Sequence, residues 1–280
     1  MTGATTTYVT ARGERTPSVE HGDHAGRESA RGAPGAATPL LVLWDIDGTL
    51  IDNGGVSKEA YALTFNRLTG RPPEHPIVPA GRTDPAVLRM MLRQHGIEAT
   101  PDMMKQAVDV LNRVFESLTS RLAERGHVKL GAQSAIAALA GRGDVVQSVL
   151  TGNTRHNAQV KVSVFGLAGA LDYEVGAYGS DTEVRAGLVP VARTKATAKY
   201  GISFPPAPTV LIGDTPRDIK AGRASGAFAV GVATGEYGVE ELAAVGADAV
   251  LPDLRDSSAL VGAVLGARRD RPGRPTDETG

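Results

Sequence analysis

The sequence predicts an α/β protein: a parallel sheet with helices on both faces, interrupted by a small all-helical insertion. Three observations carry this. Short apolar runs alternate with helical patterns from Gly131 onward, which is the pattern of right-handed crossovers between parallel strands. A wholly apolar run, Leu40-Leu41-Val42-Leu43-Trp44, opens the ordered region, as a strand buried on both faces requires. Between these, residues 55–126 show helical periodicity and no strand pattern.

Taken in order, residues 1–38 are rich in Thr, Gly, Ala and Arg with no apolar periodicity, and read as a disordered leader. Glu14, Glu20, Asp23 and Glu28 argue against a transit peptide. The α/β core is expected over 39–54 and 127–266, the helical insertion over 55–126, and a flexible tail over 267–280. Asp52-Asn53-Gly54-Gly55 reads as a hinge of turn residues. A helix then starts near Ser57, with Tyr61, Phe65 and Leu68 on one face. Val87, Leu88, Met91 and Leu92 line a second, and Val108, Leu111, Val114, Phe115 and Leu118 a third. Pro and Gly clusters at 71–79 and 96–101 separate them.

In the core, the pattern predicts helices over 132–140, 155–165, 184–200, 216–225 and 240–245. Strands are expected over 145–150, 173–178, 209–212, 228–232 and 248–251. Every polar motif falls at the carboxyl end of a strand, where ligands bind in such sheets.

Composition narrows the class. The 280 residues hold 30 Lys plus Arg against 31 Asp plus Glu, a net charge of −1, so nothing marks a nucleic-acid or anionic-membrane partner. With Cys 0, disulfides, thiolate metal sites and a cysteine nucleophile are excluded. No apolar run reaches the length of a membrane span. A cytoplasmic enzyme or binding protein is the expectation.

The first strand stops at Asp45-Ile46-Asp47-Gly48-Thr49-Leu50. Extended backbone points residues two apart to the same side, so two carboxylates converge and repel unless something positive, such as a metal ion, lies between them. Asp-x-Asp-Gly also occurs in turns and calcium loops, but the further alternating oxygen ligands of a calcium loop are missing. Thr151-Gly152-Asn153 ends another strand and opens a helix; it suits a phosphate cradle and equally an ordinary N-cap. Gly213-Asp214-Thr215-Pro216-Arg217-Asp218 places Asp214 as Asp45 is placed, where it could complete an oxygen-rich magnesium site. Asp218, four residues on, could hold a water or a group that itself contacts the ion, or only stabilise a first helical turn.

In this order the three motifs resemble those of the haloacid dehalogenase-like hydrolase superfamily, over about 40–254. The insertion resembles the helical cap of its phosphoglycolate phosphatase-like branch, set on a Rossmann-like core. The resemblance implies that Asp45 is the nucleophile, that Asp47 is general acid and then base, and that Thr151 binds phosphate. It implies Mg²⁺ held by Asp45, Asp214 and the backbone carbonyl of Asp47. Asp47 itself distinguishes phosphoryl chemistry from dehalogenation, because dehalogenases of this fold lack an acid there. A basic residue is expected before the helix leading to the Gly-Asp strand, and Arg185 matches best. Lys161 and Lys195 are rivals; Lys161 lies about two turns into its helix, which counts against it. In the insertion, Gly81-Arg82-Thr83-Asp84-Pro85 either caps a helix or presents Arg82 to the substrate. Gly152 and Asn153 are expected at the phosphate. Lys58, His75 and His156 are expected at the surface.

The implied activity is a magnesium-dependent phosphatase acting, as monomer or homodimer, on a small phosphorylated metabolite. The alternatives are a phosphomutase using the same residues and a non-catalytic phosphometabolite-binding protein.

Overall fold

A computed structural model describes residues 39–268; the expected leader 1–38 and all but two residues of the tail lie outside them. Strand β1 (Leu40–Trp44) forms the centre of a six-stranded sheet. A short strand β2 (Ile51–Asp52) leads to helices α1 (Val56–Thr69), α2 (Asp84–Gln94), α3 (Pro101–Ser117) and α4 (Thr119–Arg125). The chain returns through β3 (His127–Val128) to α5 (Ala132–Ala140), β4 (Val145–Thr151), α6 (Arg155–Val164), β5 (Ala177–Tyr178), α7 (Arg185–Tyr200) and β6 (Thr209–Gly213). It closes with α8 (Pro216–Ala224), β7 (Phe228–Val232), α9 (Val239–Ala244), β8 (Ala249–Leu251) and α10 (Ser257–Gly266).

The sheet order is β5-β4-β1-β6-β7-β8, and every pairing is parallel. The reason is visible in β1. Leu40, Val42 and Trp44 point into one core with Ile136, Leu139, Val162 and Leu260, while Leu41 and Leu43 point into another with Leu188, Val189 and Ala192. A strand covered on both faces has no solvent side to alternate with, hence its unbroken apolar run. The indole nitrogen of Trp44 donates to Gln147 Oε1 at 3.0 Å, giving its one polar atom a partner inside the core.

The helical segment has an apolar cluster of its own, including Tyr61, Phe65, Leu88, Met91, Leu111 and Phe115. Helix α6 serves both cores: Ala158 and Val162 face the sheet, and Val160 and Val164 pack against the helical cluster. The two chain crossings are joined, because β2 pairs antiparallel with β3 through Ile51–Val128 and Asp52–His127.

Several elements depart from the sequence reading. The break expected over 71–79 is wider, with no helix at 70–83; Pro72, Pro73, Pro76 and Pro79 remove the amide donors a helix would need there. Only Ala177–Tyr178 of the expected 173–178 strand pairs, since Asp172 instead accepts from the Glu174 amide in a turn. Asp52, read as part of a hinge, lies in the β2–β3 ladder. Helix α10, capped by Asp256, lies beyond the last element the sequence pattern predicts. Among the described residues no helix is long and apolar enough to cross a membrane.

Two glycines separate backbone strain from crowding. Gly70 and Gly131 both have positive φ, 75° and 85°. A Cβ on Gly70 meets open space, whereas on Gly131 it would stand 2.2 Å from the Leu254 carbonyl. Gly70→Ala should cost about 1–2 kcal/mol for the left-handed backbone alone. Gly131→Ala should cost more than about 3 kcal/mol, because backbone must also move. Urea unfolding of the two variants checks this; equal losses would contradict the packing at Gly131.

Candidate active site

The carboxyl ends of β1, β4 and β6 converge on one pocket of about 390 Å³. Asp45, Asp47, Arg82, Thr151, Gly152, Asn153, Arg185 and Asp214 all line it. Asp218 lies directly behind, fully buried.

Asp45 follows β1 and is anchored by its amide, which donates to the Ile212 carbonyl at 2.9 Å. Arg185, the first residue of α7, brings Nη2 to 3.0 Å from Asp45 Oδ1 and also bonds Asp218 through Nε at 2.8 Å. Asp218 accepts from the amide and hydroxyl of Thr215 at 3.1 and 2.6 Å. That reciprocal box starts α8 and fixes Asp218 as a brace for Arg185. Asp214 accepts from Thr49 Oγ1 at 2.9 Å. Its carboxylate fits between two glycines: a Cβ on Gly48 would come within 2.3 Å of Oδ2, and one on Gly235 within 1.8 Å. Gly48, with φ of 87°, thus serves both the turn and the approach of Asp214.

Asp47 turns to a second cation. Lys161 Nζ lies 2.6 Å from Asp47 Oδ2, 2.6 Å from Asn153 Oδ1 and 2.9 Å from Ser57 Oγ. Asn153 Nδ2 donates to Asp47 Oδ2 and to Thr151 Oγ1, both at 2.7 Å, and Asn53 Nδ2 holds Asp47 Oδ1 at 2.8 Å. As acceptor from Asn153, the Thr151 hydroxyl keeps its own proton free to donate.

The expectation that distance counts against Lys161 is therefore corrected. Helical side chains lean toward the helix N-terminus, so a lysine two turns into α6 reaches back to the strand end. Arg185 and Lys161 both supply positive charge, each to a different acid. Lys195 does not: it bonds the Gly176 carbonyl and Asp181, away from the pocket. Lys58 is exposed but lines the pocket mouth. His75 is exposed, its ring 4.9 Å from that of His95, and His156 faces Glu116. Arg82 lines the pocket with Nη1 on the Val78 carbonyl at 3.1 Å. Thr83, not Asp84, caps α2. The sequence reading names Lys161 only as a rival to Arg185 and gives no site role to Asn53, Ser57 or Asp84; the one legible hint for Lys161 is its place between valines in Val160-Lys161-Val162.

The charges do not balance. Four acids, Asp45, Asp47, Asp214 and Asp218, face two cations, Arg185 and Lys161, an excess of two negative charges. Burial pushes Asp45 up to about 7, with Asp218 and Asp47 adding to the rise and Arg185 opposing it. Burial likewise holds Asp214 well above the usual range, reinforced by Asp45 and Asp218. Burial also raises Asp47, but Lys161 and the hydrogen bonds from Lys161, Asn153 and Asn53 outweigh it, and its carboxyl ends below the ordinary value. One oxygen each of Asp45, Asp214 and Asp218 lie within 4.8 Å of one another. An all-oxygen, doubly deficient, buried cluster fits a hard divalent cation.

The sequence profile of the haloacid dehalogenase-like hydrolases matches residues 40–226. The chain belongs to that family and is a hydrolase of the haloacid dehalogenase-like type. Similar solved structures include a family IA, variant 3 hydrolase from Entamoeba histolytica, 19% identical, with a TM-score of 0.62 over 81% of this chain and 99% of that one. A candidate β-phosphoglucomutase from Bacteroides vulgatus is 20% identical, with a TM-score of 0.61 over 84% and 92%. A candidate phosphoglycolate phosphatase from Haemophilus somnus is 17% identical, with a TM-score of 0.56 over 81% and 100%. No curated protein matches the chain significantly in sequence.

The raised Asp45 gives a signed consequence. Between 3.8 and about 7 the folded protein binds a proton that the unfolded chain has released, so Asp45 removes stability as pH rises through that interval and adds no change above it. In the absence of divalent cations, the Tm of Asp45→Asn relative to wild type should climb over the interval and then level. A difference independent of pH would contradict the uncompensated burial of Asp45.

Proposed function

We propose that the protein is a magnesium-dependent phosphatase that hydrolyses a small-molecule phosphate monoester through an aspartyl-phosphate on Asp45. The carrying observation is the anchored, arginine-paired carboxylate of Asp45 at the tip of β1, beside Asp47 and inside an acidic cluster short of two positive charges.

In this reading Asp45, Asp214 and the Asp47 carbonyl would hold Mg²⁺, with Asp218 behind them. When bound, the cation offsets the acidic excess and screens the repulsion between a carboxylate nucleophile and a phosphate dianion. Arg185 occupies Asp45 Oδ1 and leaves the other oxygen to attack phosphorus, displacing the alcohol in line. Thr151 donates its free hydroxyl proton to a phosphoryl oxygen, with Gly152 and Asn153 beside it. Asp47 protonates the leaving oxygen and then takes a proton from the water that cleaves the acyl phosphate. Lys161 and the two asparagines keep it a carboxylate in this form, which suits the second step; an incoming phosphate dianion raises its proton affinity for the first. The helical segment 55–126 serves as a cap that shields the site and presents Arg82 to the rest of the substrate.

Released phosphate from a panel of phosphorylated metabolites tests the proposal. Wild type with magnesium should turn over at least one phosphate ester, and a chelator should abolish the activity. Asp45→Asn should lower kcat/KM by about 10³-fold or more and Asp47→Asn by about 10²–10⁴-fold. Wild-type turnover in Asp45→Asn would overturn the covalent step, and an isomeric sugar phosphate in place of free phosphate would make the protein a phosphomutase.

A further inference from the structure

Asp84 is the first residue of α2, yet it is only 3% exposed and its carboxylate points away from its own helix. Its Oδ2 accepts from the Thr154 amide at 2.8 Å and from Asn157 Nδ2 at 3.0 Å, both on the loop and helix that follow β4. Its Oδ1 accepts from the Tyr61 hydroxyl of α1 at 2.5 Å. Its own amide donates to the Gly152 carbonyl at 2.7 Å. One residue of the helical segment thus grips both sides of Asn153. The loop is held this close by lack of side-chain bulk, since a Cβ on Gly152 would sit 2.0 Å from the Arg82 carbonyl. No helix-capping need accounts for this, because Thr83 already caps α2 by accepting from Ala86.

We propose that Asp84 is a positioning residue: it sets the Thr151–Thr154 loop in its phosphate-binding shape, so that the cradle is complete only when the helical segment is seated. This rests on the reading of that loop as the phosphate site. Asp84 lines the pocket, but both its oxygens are taken by protein donors; it acts through the Thr154 amide and the Gly152 carbonyl, which fix the backbone on either side of Asn153. Two donors converge on one Asp84 oxygen while a third takes the other, so the position needs a planar side chain with an acceptor aimed at Thr154 and Asn157. Burial raises the Asp84 carboxyl, opposed by nearby Lys161 and by these donors. Seating of the cap and affinity for phosphate are then one event, and the enzyme grips phosphate only inside a closed, water-poor site.

The test compares wild type, Asp84→Ala and Asp84→Asn in the full chain, using para-nitrophenyl phosphate as substrate and inorganic phosphate as inhibitor. Asp84→Ala should raise KM and the inhibition constant of inorganic phosphate by at least about tenfold, with kcat changed by much less. Asp84→Asn keeps an acceptor for Thr154 and Asn157, and the rotatable Tyr61 hydroxyl can accept from its new NH₂, so it should recover most of the phosphate affinity. Hydrogen exchange of residues 151–157 is the second readout: it should quicken in Asp84→Ala while the strands of the sheet stay protected. Unchanged phosphate inhibition in Asp84→Ala, or loop exchange equal to wild type, overturns the role. Should Asp84→Ala not fold, Asp84→Ser is judged by the same two readouts. If wild type hydrolyses no phosphate ester, the phosphatase reading falls, while Asp84 is still judged by exchange of the loop.

Discussion

The structure turns on a deficit of positive charge at the tip of the central strand. Taking a carboxylate out of water is costly unless it is paired, and here four acids share two cations. The fold meets part of that cost with Arg185, whose planar fork spans Asp45 and Asp218, and with Lys161 on Asp47. Arginine suits the first position because it stays charged and bonds two acceptors in fixed geometry. What remains uncompensated is the charge of one divalent cation, and it is concentrated on Asp45 and Asp214, the two acids that burial raises most.

Two features of the fold make that concentration possible. A parallel sheet collects the strand ends on one side, and β1 lies between β4 and β6, so their three terminal loops are neighbours. Gly48 and Gly235 then let Asp214 enter a space that any side chain on either would fill. The helical segment is not a separate body resting on the core. Helix α6 belongs to both apolar clusters, Lys161 reaches Ser57 across the boundary, and Asp84 reaches Thr154. Arg89 adds a fork to Glu183 from α2. The same contacts that close the pocket also shape it.

Much of this was legible in the residues. The parallel core followed from apolar runs alternating with helical periods, because burial on both faces leaves a pattern in sequence. Asp45, Asp47, Thr151 and Asp214 stood out because each ends a strand. Lys161 did not, since a lysine's reach depends on the direction its helix runs and on what lies beyond the N-terminus, neither of which is local. Asp84 was hidden for a different reason: Thr-Asp-Pro is an ordinary helix start, and only the docking of α2 against the β4–α6 loop turns its second residue inward. The proline-rich stretch shows the converse, a local rule (no amide, no helix) that marks the break at 71–79 from sequence and understates only its extent, 70–83.

The account stands on Asp45 carrying the phosphoryl group. Rapid acid quenching of the protein during turnover of an activated aryl phosphate, followed by mass analysis of its peptides, measures this directly. The account predicts a phosphoryl group on the peptide containing Asp45, absent from Asp45→Asn. Steady turnover with no phosphorylated peptide, or with the label on another residue, would contradict it.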